Sequence, residues 1–337
     1  MLGPDSGALP PSCFVAIEEV LLVRIAVLDD YQGVALSVGG WQRLPADAQV
    51  QAFRDHLTDE DALVRRLRPF DVIVAMRERT PFPRSLLSRL PDLRLLVTTG
   101  MRNASFDMEA AREFGIVVCG TRGLPTPTAE LTWGLIIGLM RHIAAEDRAT
   151  REGSWQTTVG LTLAGKTLGV VGLGNLGSQV AKVGLAFGMD VVAWSQNLTP
   201  ERAAAGARHV PKDDLFATAD VVSVHLVLSE RTRGIVGVRE LSLMKPGAFL
   251  VNTSRGPIVD EAALVAALRE KRIAGAGLDV FDEEPLPKGH PFLSLPNTLI
   301  TPHLGYVTLE TYERFYGDAV EDILGFLQGA PVRVVQT

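Results

Sequence analysis

Two cysteines, Cys13 and Cys119, are all the thiols in 337 residues. Neither a disulfide framework nor a thiolate zinc centre can be built from two, and such scarcity suits a reducing cytoplasm. No other ligand set suggests a metal site. The chain also lacks an apolar run able to cross a bilayer. Its longest apolar stretch within a helical pattern is 133–140 (WGLIIGLM), between Glu130 and Arg141, far short of the roughly 20 residues a span requires. The amino terminus has no early Lys or Arg, and Glu18 and Glu19 interrupt its apolar part, so it does not read as a signal peptide. An excess of positive charge is missing too. Lys and Arg number 33 against 39 Asp and Glu, a formal net charge of −6, which argues against nucleic acid or an anionic membrane as a partner. Internal repeats and low-complexity tracts are absent.

What remains is a globular composition, 47% hydrophobic and 21% charged. Short β-branched runs alternate with helical patterns, which predicts parallel sheets with crossover helices. Residues 1–22 read as a loose extension. Strands are expected at 23–28, 71–75, 93–98 and 116–119, with helices at 59–67 and 106–114, the second opened by Ser105 or Asp107. The stretch 120–128 (GTRGLPTPT) reads as a hinge. One long helix is expected over about 129–153. Its apolar band (Trp133, Leu135, Ile136, Leu139, Ile143) is wide enough to pack either within the core or against a second subunit. A second βα series begins at 167, with strands at 167–171, 190–194, 221–225, 248–252, 275–279 and 298–301. A helix at 308–328 and a short strand at 332–335 then return to the first lobe. The fold class expected is α/β, two Rossmann-like doubly wound parallel-sheet lobes with a ligand cleft between them. The first lobe would comprise 23–120 and 306–337, and the second 121–305.

Gly172, Gly174 and Gly177 (GLGNLG) follow the apolar strand LGVVGL and open a helical pattern at 178–186. This is the context in which G-x-G-x-x-G binds a dinucleotide: a tight turn, a close approach of backbone to pyrophosphate, and close helix–strand packing. An acidic residue about 20 positions on would bind the ribose 2′-hydroxyl of NAD. Here Ser195, Gln196 and Asn197 follow the second strand, with Arg202 the nearest cation. Without a carboxylate to repel a 2′-phosphate, the reading leans to NADP while allowing NAD.

Three segments carry chemistry. VNTSRGPIVD (251–260) delivers Arg255 at a strand end, where its planar fork can hold a carboxylate and an adjacent oxygen. AGLDVFDEEPLP (276–287) contributes Asp279 and Glu284. TPHLG (301–305) places His303, one of six histidines, in a Pro/Gly turn after a strand. A carboxylate beside such an imidazole, Glu284 in this reading, fixes its orientation and favours its charged form. The pair could protonate a carbonyl oxygen or take the proton back.

With these motifs stand TTGMRN (98–103), TAELTWGL (128–135), REGSW (151–155), LAGKTLGVVGLGNLG (163–177), ADVVSVHLVLSERT (219–232) and MKPGAFLVNTSRGPIVDE (244–261). Across nearly all of 23–330 the chain resembles the D-isomer-specific 2-hydroxyacid dehydrogenases, which include phosphoglycerate dehydrogenases and glyoxylate/hydroxypyruvate reductases. The resemblance implies a substrate lobe followed by an NAD(P)-binding lobe, a homodimer, a cytoplasmic enzyme, and a small 2-oxo or 2-hydroxy acid as partner. It implies that Arg255 binds and polarises the substrate, that His303 is the general acid/base, and that Glu284 is its partner. Asp279 would lie near the nicotinamide. Asn175 and Leu176 would face the pyrophosphate with the three glycines, and Leu226, Val227, Thr232, Thr253, Ser254 and Gly305 would line the cofactor path with Ser195 and Gln196. Thr99 would also touch cofactor, while Gly100, Met101 and Arg102 would meet the substrate carboxylate. Arg77 either adds a second cationic contact or is a solvated charge beside Glu78 and Arg79.

The chain departs from the family pattern at Asn175 (usually Arg), Val227 (usually Pro) and Ser195 (usually acidic). The expected reaction is reversible hydride transfer between nicotinamide and C2 of a 2-oxo acid. A dinucleotide-sensing, corepressor-like protein is the alternative, disfavoured by the retained Arg, Glu and His. Formate dehydrogenase is disfavoured by the charge of Glu284. No regulatory amino-acid-binding domain is expected after the second lobe.

Overall fold

The computed structural model describes residues 22–203 and 206–335; residues 1–21 of the expected extension, with Cys13, lie outside them. The chain divides into two compact units. One runs to Thr121 and resumes at Tyr316, and the other is Arg122–Phe315. The second division falls inside the helix Leu309–Leu327, so one rod contributes to both units. No helix among the described residues is long and apolar enough to cross a membrane.

The first unit holds a parallel sheet of order β2-β1-β3-β4-β5 among the described residues. Its strands are β1 Arg24–Val27, β2 Gln49–Ala52, β3 Val72–Ala75, β4 Leu95–Thr98 and β5 Val117–Gly120. β3 (VIVA) and β4 (LLVT) are buried along their whole length, hence their unbroken apolar sequence. β2 (QVQA), absent from the expectation, lies at the edge and alternates exposed with half-buried residues. The helix Glu60–Leu67 starts where Asp59 accepts the Ala62 amide, and buries Leu63, Val64 and Leu67. Asp107 caps Met108–Glu113 in the same way. Residues 332–335 form no strand. They make a single antiparallel bridge, Val334 to Cys119, flanked by hydrogen bonds to Val118 and Gly120, because Arg333 turns left-handed at φ +50.

The second unit is wound on the order β12-β11-β10-β9-β6-β7-β8. Its strands are β6 Thr167–Val171, β7 Asp190–Trp194, β8 Arg208–His209, β9 Val221–Val224, β10 Phe249–Asn252, β11 Gly275–Leu278 and β12 Thr298–Ile300. The chain runs outward from β6 through β7 to β8, then returns to β9 on the other side of β6. That reversal makes β6/β9 the switch point, where open α/β sheets bind ligands at the carboxyl edge. The long helix expected over 129–153 is two helices, Pro127–Met140 and Ile143–Arg151, broken at left-handed His142 (φ +53). The first buries Trp133, Leu135, Ile136 and Leu139, whereas the second buries nothing. The buried positions end at Met140, so burial does not hold the two as one continuous rod.

Candidate active site

Three parallel neighbours, β10, β11 and β12, end on one edge of the second sheet, each followed by a turn with a charged side chain. β10 leads to Thr253, Ser254 and Arg255. Arg255 sits in extended backbone at the start of the 3-10 turn Gly256–Ile258, and its Nη1 donates to the Ser254 carbonyl at 2.8 Å. Asn252 Nδ2 donates to the Arg255 carbonyl at 3.0 Å. Glycine is required next: a Cβ on Gly256 would come 2.1 Å from the Phe281 carbonyl carbon. The backbone beside Arg255 therefore rests directly on the turn after β11.

That turn supplies Glu284. Its Oε1 accepts the Phe281 amide at 2.9 Å and its Oε2 meets His303 Nδ1 at 2.5 Å. One carboxylate thus links the Arg255 turn to the imidazole after β12. The bond occupies Nδ1, so Nε2 is the nitrogen left for a substrate. Tyr306 stands edge-on to the imidazole at 5.5 Å between ring centres.

His303 is left-handed at φ +54, a sparsely populated conformation for a residue other than glycine. Asp279 holds it there. Its side chain is fully buried, Oδ1 accepting from Thr301 Oγ1 (2.6 Å) and the Leu304 amide (2.7 Å), Oδ2 from the Gly305 amide (2.8 Å). Burial pushes this carboxyl above the ordinary carboxylate range, while the three donors and nearby His303 pull the other way. The turn is tied down further by Thr128, whose hydroxyl donates to the Gly305 carbonyl at 2.9 Å. Thr132 donates to the Thr128 carbonyl and lies 2.8 Å from Thr253 Oγ1. No role for Thr128, Thr132 or Thr301 is legible in the sequence alone. TAELTWGL and TPHLG contain them, yet nothing local shows which hydroxyl meets which partner.

The glycine loop lies at the switch point of the same edge. Gly172 has φ +102, and a Cβ on Gly177 would come 2.0 Å from the Gly172 carbonyl oxygen, while one on Gly174 meets nothing within 4 Å. The helix Asn175–Ala186 begins at Gly174 with no side-chain cap, which leaves its first-turn amides, Asn175 and Leu176 among them, for an anion. A tight turn, an open approach and an uncapped helix fit a pyrophosphate. Beside it, Ser254 Oγ donates to the Leu226 carbonyl. Thr232, buried, pins the next loop by donating to the Val227 carbonyl at 2.7 Å and accepting the Ser229 amide at 2.8 Å. Val227 is 74% exposed. Ser195 and Gln196 follow β7, and Gln196 Nε2 donates to the Arg231 carbonyl at 3.4 Å. His225, just after β9, has Nε2 2.8 Å from Ser223 Oγ, and burial pushes its pKa down to about 4. It is a neutral imidazole at physiological pH.

The remaining predicted residues belong to the first unit, where they gather at the ends of β3 and β4. Arg77 (φ +53) donates its amide to Thr99 Oγ1 at 2.9 Å and Nη1 to the Thr99 carbonyl at 3.2 Å. Asn103 Nδ2 holds the Arg77 carbonyl at 2.6 Å. Arg77 Nε also lies 3.9 Å from Glu78 Oε2, with both side chains partly exposed. The amide of Gly100 (φ +123) donates to Thr121 Oγ1 at 2.9 Å, Met101 and Arg102 are exposed, and Thr99 is buried.

Residues 133–305 match the family model for the D-isomer specific 2-hydroxyacid dehydrogenase NAD binding domain. The chain is similar to a glyoxylate reductase of Aeropyrum pernix, 42% identical over 255 residues, covering 72% of this chain and 76% of that one. It is 30% identical over 325 residues to a hydroxypyruvate reductase of Blautia hydrogenotrophica, covering 93% and 99%. Among solved structures, a phosphoglycerate oxidoreductase from Vibrio cholerae superposes with a TM-score of 0.88 at 39% identity, covering 91% of this chain and all of that one (100%). A Rossmann-type glycine cradle and the Arg255, Glu284 and His303 side chains share one sheet edge, and the chain belongs to the D-isomer specific 2-hydroxyacid dehydrogenases.

Proposed function

We propose that this chain reversibly reduces a small 2-oxo acid to the corresponding D-2-hydroxy acid with a nicotinamide dinucleotide. The observation that carries the reading is the Glu284–His303 contact at 2.5 Å, on the sheet edge that also presents Arg255. Gly172, Gly174 and Gly177 with the Asn175 and Leu176 amides would hold the pyrophosphate. When bound, the cofactor supplies the hydride that C2 of the oxo acid accepts. Arg255 binds the carboxylate and draws electron density onto the oxo oxygen through its fork. His303 Nε2 donates the proton to that oxygen in reduction and removes it in oxidation, and Glu284 keeps the imidazole oriented and balances its charge. Asp279 acts through the turn as a positioning residue. Arg77, Gly100, Met101 and Arg102 are read as the substrate contacts of the first unit.

The absence of a carboxylate among Ser195, Gln196 and Asn197 supports NADP over NAD. A homodimer is supported by the apolar side chains left in the open beyond the broken helix, with Ile143 51%, Trp155 78% and Val159 91% exposed. A cytoplasmic setting suits the two cysteines.

The test is oxidation of NADH and NADPH by the purified chain against glyoxylate, hydroxypyruvate, pyruvate and longer 2-oxo acids. Turnover on at least one, giving the D-hydroxy acid, is expected. Cofactor binding with no oxidation across the panel would overturn the reading in favour of a dinucleotide sensor.

A further inference from the structure

We propose that Arg231 is the cation that takes the 2′-phosphate of NADP(H), acting from the loop after β9. This assignment rests on the NADP reading above and adds to it the residue that recognises the phosphate.

The ribose 2′ substituent of a dinucleotide is read at the end of the second strand of the sheet that binds it. In this chain that corner is the turn after β7, closed by the Leu198 amide on the Ser195 carbonyl at 3.1 Å. It offers a hydroxyl and two amide side chains but no charge. A phosphate monoester near pH 7 carries close to two negative charges, and a corner that selects it needs a cation. Most cations of the surrounding elements are already held by acids. Lys212 Nζ lies 2.8 Å from Glu240 Oε1, Arg208 lies 3.0 Å from Asp190, and Arg239 lies 2.5 Å from Asp213.

Arg231 is different. It is exposed, and among the described residues no carboxylate lies within 4.0 Å of its guanidinium. Its backbone is tied to the corner itself, since its carbonyl accepts Gln196 Nε2 at 3.4 Å across 35 residues of sequence. The loop that carries it is also fixed. Thr232 Oγ1 bonds the Val227 carbonyl and the Ser229 amide, and the Arg233 amide bonds the Ser229 carbonyl at 2.9 Å. A guanidinium on a pinned turn loses little backbone freedom when it closes on a phosphate, and its planar fork suits two phosphate oxygens at once. Among the described residues Arg202 is equally without an acid partner, and it is nearer in sequence. Its one-turn helix Pro200–Ala203 is hydrogen-bonded to Thr199, however, and among the described residues to nothing in the Ser195 turn.

The experiment is calorimetric titration of the full-length chain with NADPH, NADH and 2′,5′-ADP, repeated for Arg231→Ala and for Arg202→Ala. The wild type is expected to bind NADPH more tightly than NADH and to bind 2′,5′-ADP. Arg231→Ala should weaken NADPH and 2′,5′-ADP about 10- to 100-fold, the range of a charge-assisted contact. The NADH constant should move less than about threefold, and Arg202→Ala should leave all three near wild type. Thermal melting of Arg231→Ala at the wild-type temperature checks that the exposed substitution left the fold intact. A wild type that binds NADH as tightly as NADPH and ignores 2′,5′-ADP overturns the NADP reading and this assignment with it. A wild type that prefers NADPH, with no loss in Arg231→Ala or with the loss appearing in Arg202→Ala, overturns the Arg231 assignment alone.

Discussion

Asp279 is the residue whose removal tests most of the local account, because three donors converge on a carboxylate with no exposure to solvent. In Asp279→Asn the amide oxygen can replace Oδ1 and keep Thr301 and Leu304. The new NH2 then faces the Gly305 amide across a former 2.8 Å hydrogen bond. The Gly305 N–H loses its acceptor and the new NH2 faces a donor, at a cost of about 1–3 kcal/mol for each buried group left unsatisfied. Asp279→Ala strands all three donors, and the loss should reach about 3–5 kcal/mol, the range for breaking a buried polar network. For a unit of this size 1 kcal/mol moves the melting point by roughly 2–4 °C, so the alanine variant should melt on the order of 6–20 °C lower. Thr301→Val removes one donor and leaves the carboxylate two; it should cost about 1 kcal/mol. Differential scanning calorimetry gives these numbers. Because the turn holds His303 at φ +54, kcat of Asp279→Asn should fall further than KM rises. An Asp279→Ala protein that melts with the wild type and keeps its kcat would refute the reasoning.

Asp322 makes a pH prediction. Burial pushes its carboxyl up to about 7, with Asp318 and Glu321 adding and Arg333 opposing. The folded protein then holds this proton more tightly than the unfolded chain, so the contribution of this group to stability is fully present below about pH 4 and is lost as pH rises towards 7, at most about 4 kcal/mol. Urea midpoints between pH 4 and 8 should show that decline in the wild type and a flatter profile in Asp322→Asn; identical profiles would contradict it. At the glycine loop two alanines should separate folding from binding. Gly174→Ala meets no protein atom within 4 Å and should melt with the wild type yet bind NADPH poorly. Gly177→Ala drives a Cβ to 2.0 Å from the Gly172 oxygen and should lose stability as well. Wild-type binding by Gly174→Ala would count against the cradle.

Much of the architecture is legible in the sequence wherever burial writes it. β3, β4, β6 and β9 to β11 are mostly apolar and buried because both faces are covered, with Ser223 the polar residue inside β9. β2 and β8 escape detection for the opposite reason: QVQA and RH are edge segments set by backbone pairing, with little side-chain burial to record them. The break at His142 is hidden because Ile143 continues the apolar spacing although it is 51% exposed. In the site, the residue types and their strand-end positions can be read, since chemistry needs Arg, Glu and His at those motifs. The support beneath them cannot. Thr128 and Gly305 are 177 residues apart, Thr132 and Thr253 are 121 apart, and only the folded sheet makes them neighbours. The cofactor corner divides in the same way. A missing carboxylate at Ser195 is visible in the linear chain, whereas a cation arriving from the β9 loop is not.

The central claim is that the His303 imidazole moves the proton of the reacting carbonyl. Its most direct test is kcat of His303→Ala on the best 2-oxo acid of the panel, with the dissociation constant of the reduced cofactor measured on the same preparation. Cofactor affinity is expected to stay within about threefold of wild type and kcat to fall by about 10²- to 10⁴-fold. Wild-type turnover in that variant would contradict it.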